Sequence, residues 1–329
     1  MKNWYLLLLS LMFALILFMA LSLLYNSIGP EISVPEAPIG IVLKSSIGPA
    51  MDFWVVVDQG IREAAKEFGL KVEISGPRFE KEILRQIHVL ENVISKNPPL
   101  IILAATDYAQ LVAPLEKAAA AGIPVITIDS GVDSDIPVSF IATDNIVAGE
   151  KAGREMKRLL LSSPRKDIAI VSHIRGTATA IDRERGARTA LKEEHILGTW
   201  YCDVEQEKAY LITKSLLGNE NLGGIIALNE VAALGVARAI DEADAKNRVL
   251  VVAFDNAVKE LSYLEQGVIK ATVVQRPYNM GYLSVKTAFD YLNGEKVVPF
   301  IDTGSVLITK ENMFEREYQE LLFPFSTEP

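Results

Sequence analysis

The sequence predicts an α/β protein whose parallel sheets are covered by helices on both faces, preceded by one apolar helix. Between residues 39 and 275, short apolar segments alternate with amphipathic ones, and this alternation is typical of βαβ units. Four of the apolar segments (125–129, 225–229, 251–255 and 271–275) end on a hydrogen-bonding side chain, namely Asp129, Asn229, Asp255 and Gln275. Because ligands of open parallel sheets bind beyond the carboxyl ends of the strands, these side chains indicate a ligand site.

Residues 1–28 predict a transmembrane anchor. No charged residue lies between Trp4 and Ile28, and this stretch exceeds the roughly 20 apolar residues that span a bilayer. Lys2 and the α-amino group favour a cytoplasmic amino terminus, so the rest of the chain is expected outside the cytoplasm. Because no well-placed pair of small residues marks a cleavage site, an uncleaved anchor is the preferred interpretation and a cleaved export signal the second.

A short linker, residues 29–37, separates the anchor from the globular part. Pro30 and Pro35 lie within it and Pro38 follows, a spacing typical of an extended linker. The first α/β unit then begins near Ile39, with a helix over 53–68 that ends at Gly69, a suitable C-cap residue. Its other expected elements are strands at 39–44, 71–75, 100–103, 125–129 and 138–142 and helices at 80–95 and 109–121.

A second unit repeats the alternation. After Thr143 the chain enters a helix rich in small residues, among them Gly149 and Gly153, which predict a close approach to a neighbouring helix. The strands expected next lie near 168–172, 196–202, 225–228, 249–254 and 271–275. Two similar units in series predict two lobes rather than one large sheet.

Charge and composition narrow the function classes. The net charge of −9 argues against a nucleic-acid partner, because phosphate binding requires clustered Lys and Arg. The single cysteine, Cys202, excludes an internal disulfide framework. His88, His173 and His195 lack metal-ligand spacing, and we expect them to be exposed or satisfied by hydrogen bonds. Without a nucleophile elbow or a nucleotide-binding glycine motif, the sequence predicts no enzyme, no cofactor and no metal site.

The two strand-end carboxylates are the leading candidates for ligand contact. Asp129 and Asp255 occupy matched positions in the two units, and each carboxylate can accept two hydrogen bonds from vicinal hydroxyls. The alternative for each is capping of the following helix or turn. That alternative is strong for Asn229, which begins a helix, whereas the amide of Gln275 can both donate and accept, as a hydroxyl-rich ligand requires.

Three further side chains complete the predicted site. Arg183 begins a helix after a strand and can present a planar fork of donors to a ligand. A surface ion pair is the alternative, for which Arg185 is better suited. Phe53 and Trp54 begin a helix where aromatic faces can cover the C–H face of a sugar, with core packing as the alternative for one of them.

Several segments, in one order, resemble the type I periplasmic sugar-binding proteins, the family of the ribose- and galactose-binding proteins. They are GIPVITID at 122–129, SFIATDN at 139–145, GT at 176–177 leading to RERG at 183–186, ALNE at 227–230, VAFD at 252–255 and ATVVQ at 271–275. The resemblance runs from about residue 39 to residue 308. It implies two Rossmann-like lobes joined by a hinge of three crossings, with lobe 1 formed by 38–143 and 276–303 and lobe 2 by 144–275 and 304–329.

Matched position by position, the family's ligand contacts fall on the candidates already named. Phe53 and Trp54 match its aromatic pair, and Thr143 lies at the matching hinge. The remaining matched contacts are Asp129, Arg183, Asn229, Asp255 and Gln275. The chain has Met51, Ser130 and Glu230-Val231 where the ribose-binding pattern has Asn, Arg and Asp-Glu, so ribose specificity is not implied.

The resemblance implies an extracytoplasmic receptor that closes its lobes over a small hydroxylated ligand, most simply a monosaccharide. Its partner would be an ABC permease or a membrane sensor kinase, with the N-terminal helix holding it at the membrane. Two alternatives remain: a subunit of a two-component or chemotaxis sensing system without transport, and a LacI-like regulator. The second is disfavoured because an apolar span stands where such regulators carry a helix-turn-helix.

Overall fold

The computed structural model describes residues 2–27, 35–45 and 52–323. The chain divides into two compact units, Met1–Val34 and Pro35–Pro329. Most of the predicted linker, residues 46–51 with Met51 among them, and the last six residues lie outside the described residues.

The first unit is described by helix α1, Lys2–Ser27. Among the residues that the structure describes, no helix is both long and apolar enough to cross a membrane. The predicted transmembrane helix is therefore not supported.

The second unit alternates strands and helices, largely as the apolar pattern predicts. The described strands are β1 Ile39–Val42, β2 Val72–Ser75, β3 Ile101–Leu103, β4 Val125–Ile128, β5 Ser139–Ala142, β6 Asp167–Ser172, β7 Ile196–Tyr201, β8 Leu222–Ala227, β9 Leu250–Phe254, β10 Ala271–Gln275, β11 Phe300–Asp302 and β12 Ser305–Thr309. The described helices of this unit are α2 Asp52–Glu67, α3 Ile83–Ser95, α4 Val112–Ala120, α5 Asn145–Leu160, α6 Ala178–Ala190, α7 Gln206–Leu216, α8 Glu230–Glu242, α9 Val258–Glu265, α10 Pro277–Leu292 and α11 Arg316–Leu322.

These strands form two six-stranded sheets, one in each of two α/β lobes. The first sheet has the order β11-β5-β4-β3-β1-β2, and all of its pairs are parallel. The second has the order β12-β10-β9-β8-β6-β7 and is parallel except for the antiparallel pair β10–β12. Two lobes with parallel-dominated sheets confirm the predicted fold class, while the predicted lobe boundaries stay a prediction.

The antiparallel strand was not predicted, and the path of the chain explains it. Strand β11 ends at the edge of the first sheet that faces the second lobe. The link through Thr303 and Gly304 then enters the second sheet at the edge that faces the first lobe, which is the cleft edge of that sheet. Strand β12 therefore runs opposite to β10, which ends at the cleft edge.

The chain passes between the lobes after β5, after β10 and after β11. One side chain joins two of these crossings. Oδ1 of Asp302 accepts hydrogen bonds from the backbone N–H of Asp144 at 2.9 Å and of Gly304 at 2.8 Å. The Asp302 carboxylate therefore links the crossing after β5 to the crossing after β11.

Small residues bring α5 and α6 together, as the sequence predicts. A Cβ added to Gly149 would lie 2.2 Å from the carbonyl oxygen of Arg183, and one added to Gly186 would lie 2.0 Å from that of Ile146. Any larger side chain at either glycine would push the two helices apart. This close packing fixes α6 against α5 at Arg183, whose side chain lines the cavity between the lobes.

Candidate functional site

Both lobes place an aspartate at the cleft by the same backbone turn. Asp129 follows β4 with φ 58°, and Asp255 follows β9 with φ 80°. The N–H of Asp129 donates to Ile141 O and the N–H of Asp255 to Val273 O, each at 3.0 Å. This left-handed conformation is unfavourable for most side chains but is tolerated by aspartate. The matched positions seen in the sequence thus correspond to matched geometry.

In the first lobe, Asp129 is neutralised by a lysine that follows β1. The Nζ of Lys44 lies 2.7 Å from Oδ2 of Asp129, and both side chains are buried. Ser130, at the position where the ribose-binding pattern has arginine, is buried and its Oγ has no partner among the described residues. The cation next to the first-lobe carboxylate therefore comes from a different strand.

The aromatic pair is anchored by a buried glutamate. Trp54 is 2% exposed, and its indole Nε1 donates to Oε1 of Glu80 at 2.7 Å. Phe53 is less deeply buried and meets the Trp54 ring edge to face, with centroids 5.1 Å apart. Burial raises the pKa of the Glu80 carboxyl, against the opposing effects of Lys44 and Trp54. The Trp54 ring therefore both packs in the core and lines the cavity.

In the second lobe, hydrogen bonds to Asp255, which follows β9, connect the ends of β8, β9 and β10. Its Oδ1 accepts from Nε2 of Gln275 at 2.7 Å, and its Oδ2 accepts from the backbone N–H of Glu230 at 3.0 Å. Burial raises the pKa of the Asp255 carboxyl, and the nearby Arg183 guanidinium opposes the shift. Asn229 caps α8, since its Oδ1 accepts from the N–H of Ala232 at 3.0 Å. The capping interpretation of Asn229 is correct, although the residue also lines the cavity.

Arg183 is buried rather than part of a surface ion pair. Its Nε donates to Oδ1 of Asn145, and its Nη1 donates to Leu228 O, both at 2.8 Å. Its guanidinium lies over the Phe254 ring, 4.7 Å from the centroid. Arg185 makes the surface pair instead, 2.9 Å from Asp182, as expected.

His173 contradicts the expectation that the histidines are exposed or fully satisfied. It follows β6 directly and is 3% exposed, with Nε2 3.0 Å from Oγ1 of Thr179. Its Nδ1 has no hydrogen-bond partner among the described residues. Burial, with Arg183 and Lys44 nearby, holds the pKa of the imidazole well below its usual value, so the ring is neutral at physiological pH.

These side chains line one cavity between the lobes. The first lobe contributes Lys44, Phe53, Trp54, Glu80 and Asp129, and the second contributes His173, Thr179, Arg183, Asn229, Glu230, Asp255 and Gln275. Of the predicted contacts, the structure does not bring Thr143 to this lining. Its Oγ1 lies 3.4 Å from Gly304 O, at the crossings between the lobes.

Sequence reasoning missed five of the lining residues: Lys44, Glu80, His173, Thr179 and Glu230. For two of them a signal was present. His173 and Lys44 follow strands at the same edge as the predicted candidates, and the strand-end rule applies to them equally. Glu80 lies in the connection between β2 and α3, where no periodic pattern indicates the direction of a side chain.

The lobes also touch each other outside the cavity. Oγ1 of Thr177 donates to Thr106 O, and the N–H of Tyr108 donates to Gly176 O, both at 2.9 Å. On the surface, Nζ of Lys81 lies 2.5 Å from a carboxylate oxygen of Glu205. These contacts connect the two rims, so the cleft is closed in this structure.

A larger cavity of about 490 Å³ lies beside the site and shares Phe53 with it. Its lining is mainly apolar and includes Val56, Tyr278, Leu321 and Leu322. It lacks the convergent buried polar groups that fix the orientation of a small ligand. The smaller polar cavity is therefore the better candidate site.

The charges of the polar cavity favour a neutral ligand. Its lining includes the carboxyl groups of Glu80, Asp129, Glu230 and Asp255, against the cations Lys44 and Arg183. Each cation already faces a carboxyl group, Lys44 that of Asp129 and Arg183 that of Asp255, so the lining offers an anion no uncompensated positive charge. Donors and acceptors on two walls can instead bind the hydroxyl groups of an uncharged molecule.

Comparisons with known proteins agree with this architecture. A family model described as a periplasmic binding protein domain matches residues 39–296. The D-allose-binding periplasmic protein of Escherichia coli is 29% identical over 291 residues, covering 83% of this chain and 92% of that protein. The ribose import binding protein RbsB of Bacillus subtilis is 26% identical, covering 84% and 88% respectively.

Solved structures give the same result. A carbohydrate transporter solute-binding protein from Agrobacterium radiobacter, in complex with D-arabinose, superposes with a TM-score of 0.83 at 32% identity, covering 88% of this chain and all (100%) of that one. A solute-binding protein from Agrobacterium vitis with bound D-fucose has a TM-score of 0.81 at 32% identity, covering 87% and 99%. The relatives named here are binding proteins, which agrees with the expectation that the chain is not an enzyme. The chain belongs to the periplasmic binding protein domain family.

Proposed function

We propose that this protein is an extracytoplasmic solute-binding protein that encloses a small, neutral, hydroxylated ligand between its lobes, most simply a monosaccharide. One observation carries the proposal: buried polar side chains from both lobes converge on a single cavity. The proposed ligand contacts are Phe53, Trp54, Asp129, Arg183, Asn229, Asp255 and Gln275, with Thr143 acting at the hinge.

Binding and closure are coupled in this proposal. A ligand that contacts both walls stabilises the closed arrangement, because only there can it bond to both lobes. The aromatic pair covers the apolar face of the ring, and the carboxylates and amides bind its hydroxyls. Each neutral hydrogen bond contributes about 0.5–1.5 kcal/mol and each one to a charged group about 1.5–3 kcal/mol, so a few suffice for tight binding.

The names of the relatives suggest which ligands to test first. Two of them are named for D-allose and ribose, and two solved structures hold D-arabinose and D-fucose. These ligands are uncharged aldoses, which suits a cavity whose cations already face carboxyl groups. Thermal shift of the compact unit 35–329 against these sugars, polyols and sugar phosphates, followed by calorimetry, tests the proposal. We expect stabilisation by at least one neutral sugar and by no phosphate; no response to any neutral sugar would refute it.

Delivery to an ABC sugar permease is the proposed use of the closed form. The import functions in the names of the ribose relatives support it. Uptake of the labelled sugar should fall in a deletion strain and return on complementation. Normal uptake together with a lost transcriptional or chemotactic response to the sugar would establish the sensing alternative instead.

Membrane attachment through the N-terminal segment rests on the sequence alone, which has no charged residue from Trp4 to Ile28. The test is alkaline carbonate extraction of membranes, comparing the full chain with a chain that starts at residue 35 behind a cleavable export signal. Retention of the full chain alone supports attachment, and release of both chains refutes it.

A further inference from the structure

His173 lies where a ligand-contacting side chain is expected. It is the first residue after β6, which lies between β8 and the edge strand β7 of the second sheet, and it therefore stands at the cleft edge. It is 3% exposed and lines the polar cavity together with Arg183 and Asp255. The resemblance to the sugar-binding family assigned no role to it.

The two ring nitrogens of His173 have different surroundings. Nε2 lies 3.0 Å from Oγ1 of Thr179, whereas Nδ1 is buried and has no partner among the described residues. Buried polar atoms are seldom left without a hydrogen bond, because the loss of hydration is unfavourable. An unpartnered atom in the wall of a ligand cavity is best explained by a bond to the ligand.

The same wall holds a second atom of this kind. Gln275 is 3% exposed; its Nε2 donates to Asp255, while its Oε1 has no partner among the described residues. An amide oxygen can only accept, so it requires a hydroxyl that donates. The second lobe thus offers two unused hydrogen-bonding positions, on β10 and directly after β6.

The neutral imidazole can serve either as acceptor or as donor. If Nε2–H donates to Thr179, Nδ1 accepts from a ligand hydroxyl; if the Thr179 hydroxyl donates, Nδ1–H donates to the ligand. Because Lys44 and Arg183 lie nearby and the ring is buried, protonation to a cation is disfavoured in both cases. The contact is therefore a neutral hydrogen bond, suited to a hydroxyl.

We propose that His173 is a specificity-determining residue, whose Nδ1 forms a hydrogen bond with one hydroxyl of the ligand while Gln275 Oε1 accepts from another. The inference rests on the proposed function and sharpens it. The ligand is a neutral polyol or sugar that directs two hydroxyls at the second lobe. A ligand lacking the hydroxyl at His173 would leave Nδ1 buried and unpaired.

Two substitutions separate the two nitrogens. In His173→Asn the side-chain amide can occupy the position of Nδ1, whereas in His173→Gln it reaches that of Nε2. For the sugar that the parent protein binds best, we expect His173→Gln to lose about 10-fold in affinity and His173→Asn to lose about threefold at most. Calorimetry on the full chain, in a detergent without a sugar headgroup, measures both, and melting temperatures report whether each variant is folded.

A series of monodeoxy analogues of that sugar provides the decisive measurement. One analogue should bind the parent about 10-fold more weakly, and that difference should vanish in His173→Gln but persist in His173→Asn, which keeps a hydrogen-bonding group at the position of Nδ1. If His173 had only a structural role, its substitution would lower the affinity for all analogues by the same factor. Equal discrimination by parent and His173→Gln overturns the inference.

A measurement on the parent protein decides the question even if the variants fail to fold. The ¹⁵N chemical shift of His173 Nδ1 should change when the sugar is added, and that of His88, an exposed histidine, should not. An unchanged Nδ1 shift on saturation overturns the inference while the proposed function stands. Failure of the parent to bind any neutral sugar overturns the proposed function and this inference together.

Discussion

The two walls of the cavity are built by the same backbone device but carry different chemistry. In each lobe an aspartate follows a buried strand in the left-handed conformation and is held by a neighbouring strand. In the first lobe this aspartate is paired with Lys44, and the glutamate nearby is bonded to Trp54. In the second lobe Asp255 binds neutral groups, and two polar atoms of the wall stay unpartnered.

The difference suggests a division of labour. Among the described residues, none of the five that line the first wall has a buried polar side-chain atom without a partner, although the Oγ of Ser130 beside them has none. This wall presents aromatic faces, which favour a ring without choosing among hydroxyl patterns. The second wall has open hydrogen-bonding capacity, and unpaired buried groups are what discriminate strongly between similar ligands. We therefore expect substitutions in the first wall to change stability most, and substitutions in the second wall to change affinity and specificity most.

The largest effect should come from breaking the first-wall ion pair. Lys44→Met leaves the buried Asp129 carboxylate without its cation, and such losses cost about 3–5 kcal/mol of unfolding free energy. The double variant Lys44→Met/Asp129→Asn should recover most of the loss, because it leaves no uncompensated charge. Denaturant unfolding of both proteins measures this, and a single variant as stable as the parent would contradict the assigned pair.

Next in size is Asp255→Ala in the second wall. The substitution leaves Gln275 Nε2 and the Glu230 N–H without their acceptor and removes the carboxylate from the ligand. We expect a loss of about 100-fold in affinity, measured by calorimetry, and a smaller loss for Asp255→Asn, which keeps one oxygen. If Asp129→Ala weakened binding more than Asp255→Ala does, the comparison of the walls would be reversed.

A smaller effect is expected from Trp54→Phe, which removes the indole N–H and leaves Oε1 of Glu80 without that donor. The variant should lose a few-fold in affinity for every sugar bound by the parent, because the apolar face remains. Trp54→Phe combined with Glu80→Leu serves as the matched control, since it removes the unpaired carboxyl as well. A change in the ranking of sugars would show that the first wall also selects hydroxyls.

The smallest effect is expected on the pH dependence of the melting temperature. It is tested at one buried glutamate from each lobe. Burial raises the pKa of Glu260 well above its usual value, with the Asp255 charge adding to the shift. The resulting stability is present below the ordinary pKa of glutamate and is lost as pH rises through the raised value. Glu260→Gln should therefore increase the melting temperature at pH 8, on the order of 2 °C, and leave it unchanged near pH 4.

Glu80→Gln in the first lobe should raise the melting temperature at pH 8 by less than Glu260→Gln does, because Lys44 and Trp54 favour the ionised form of Glu80. Thermal unfolding of the two variants and the parent between pH 4 and 8 tests the order. An equal gain in both lobes would mean that these partners of Glu80 contribute little.

Much of this architecture follows from local pattern. Continuous apolar runs predict buried parallel strands, and Asp129, Asp255 and Gln275 could be proposed because the end of such a strand has a defined place in the fold. Strand β12 escaped prediction because its direction depends on a crossing, which no local pattern encodes. Glu80 escaped for a related reason: its bond to Trp54 joins residues 26 apart through an irregular connection.

The burial of His173 illustrates a different limit. The strand-end rule places it at the cleft edge, but the extent of its burial depends on the closed lobes, which no local pattern encodes. The pair of Lys44 and Asp129 could not be foreseen either, since it requires β1 and β4 to be brought together through β3.

The carboxylate of Asp302 has a consequence for the order of events in binding. Because it links the crossings after β5 and β11 to each other, we expect these two segments to move together when the lobes part. Gln275 lies at the third crossing, at the end of β10 in the second lobe. Because Gln275 and Asp255 belong to the same wall, we expect the second lobe to capture the ligand first and the first lobe to close over it afterwards.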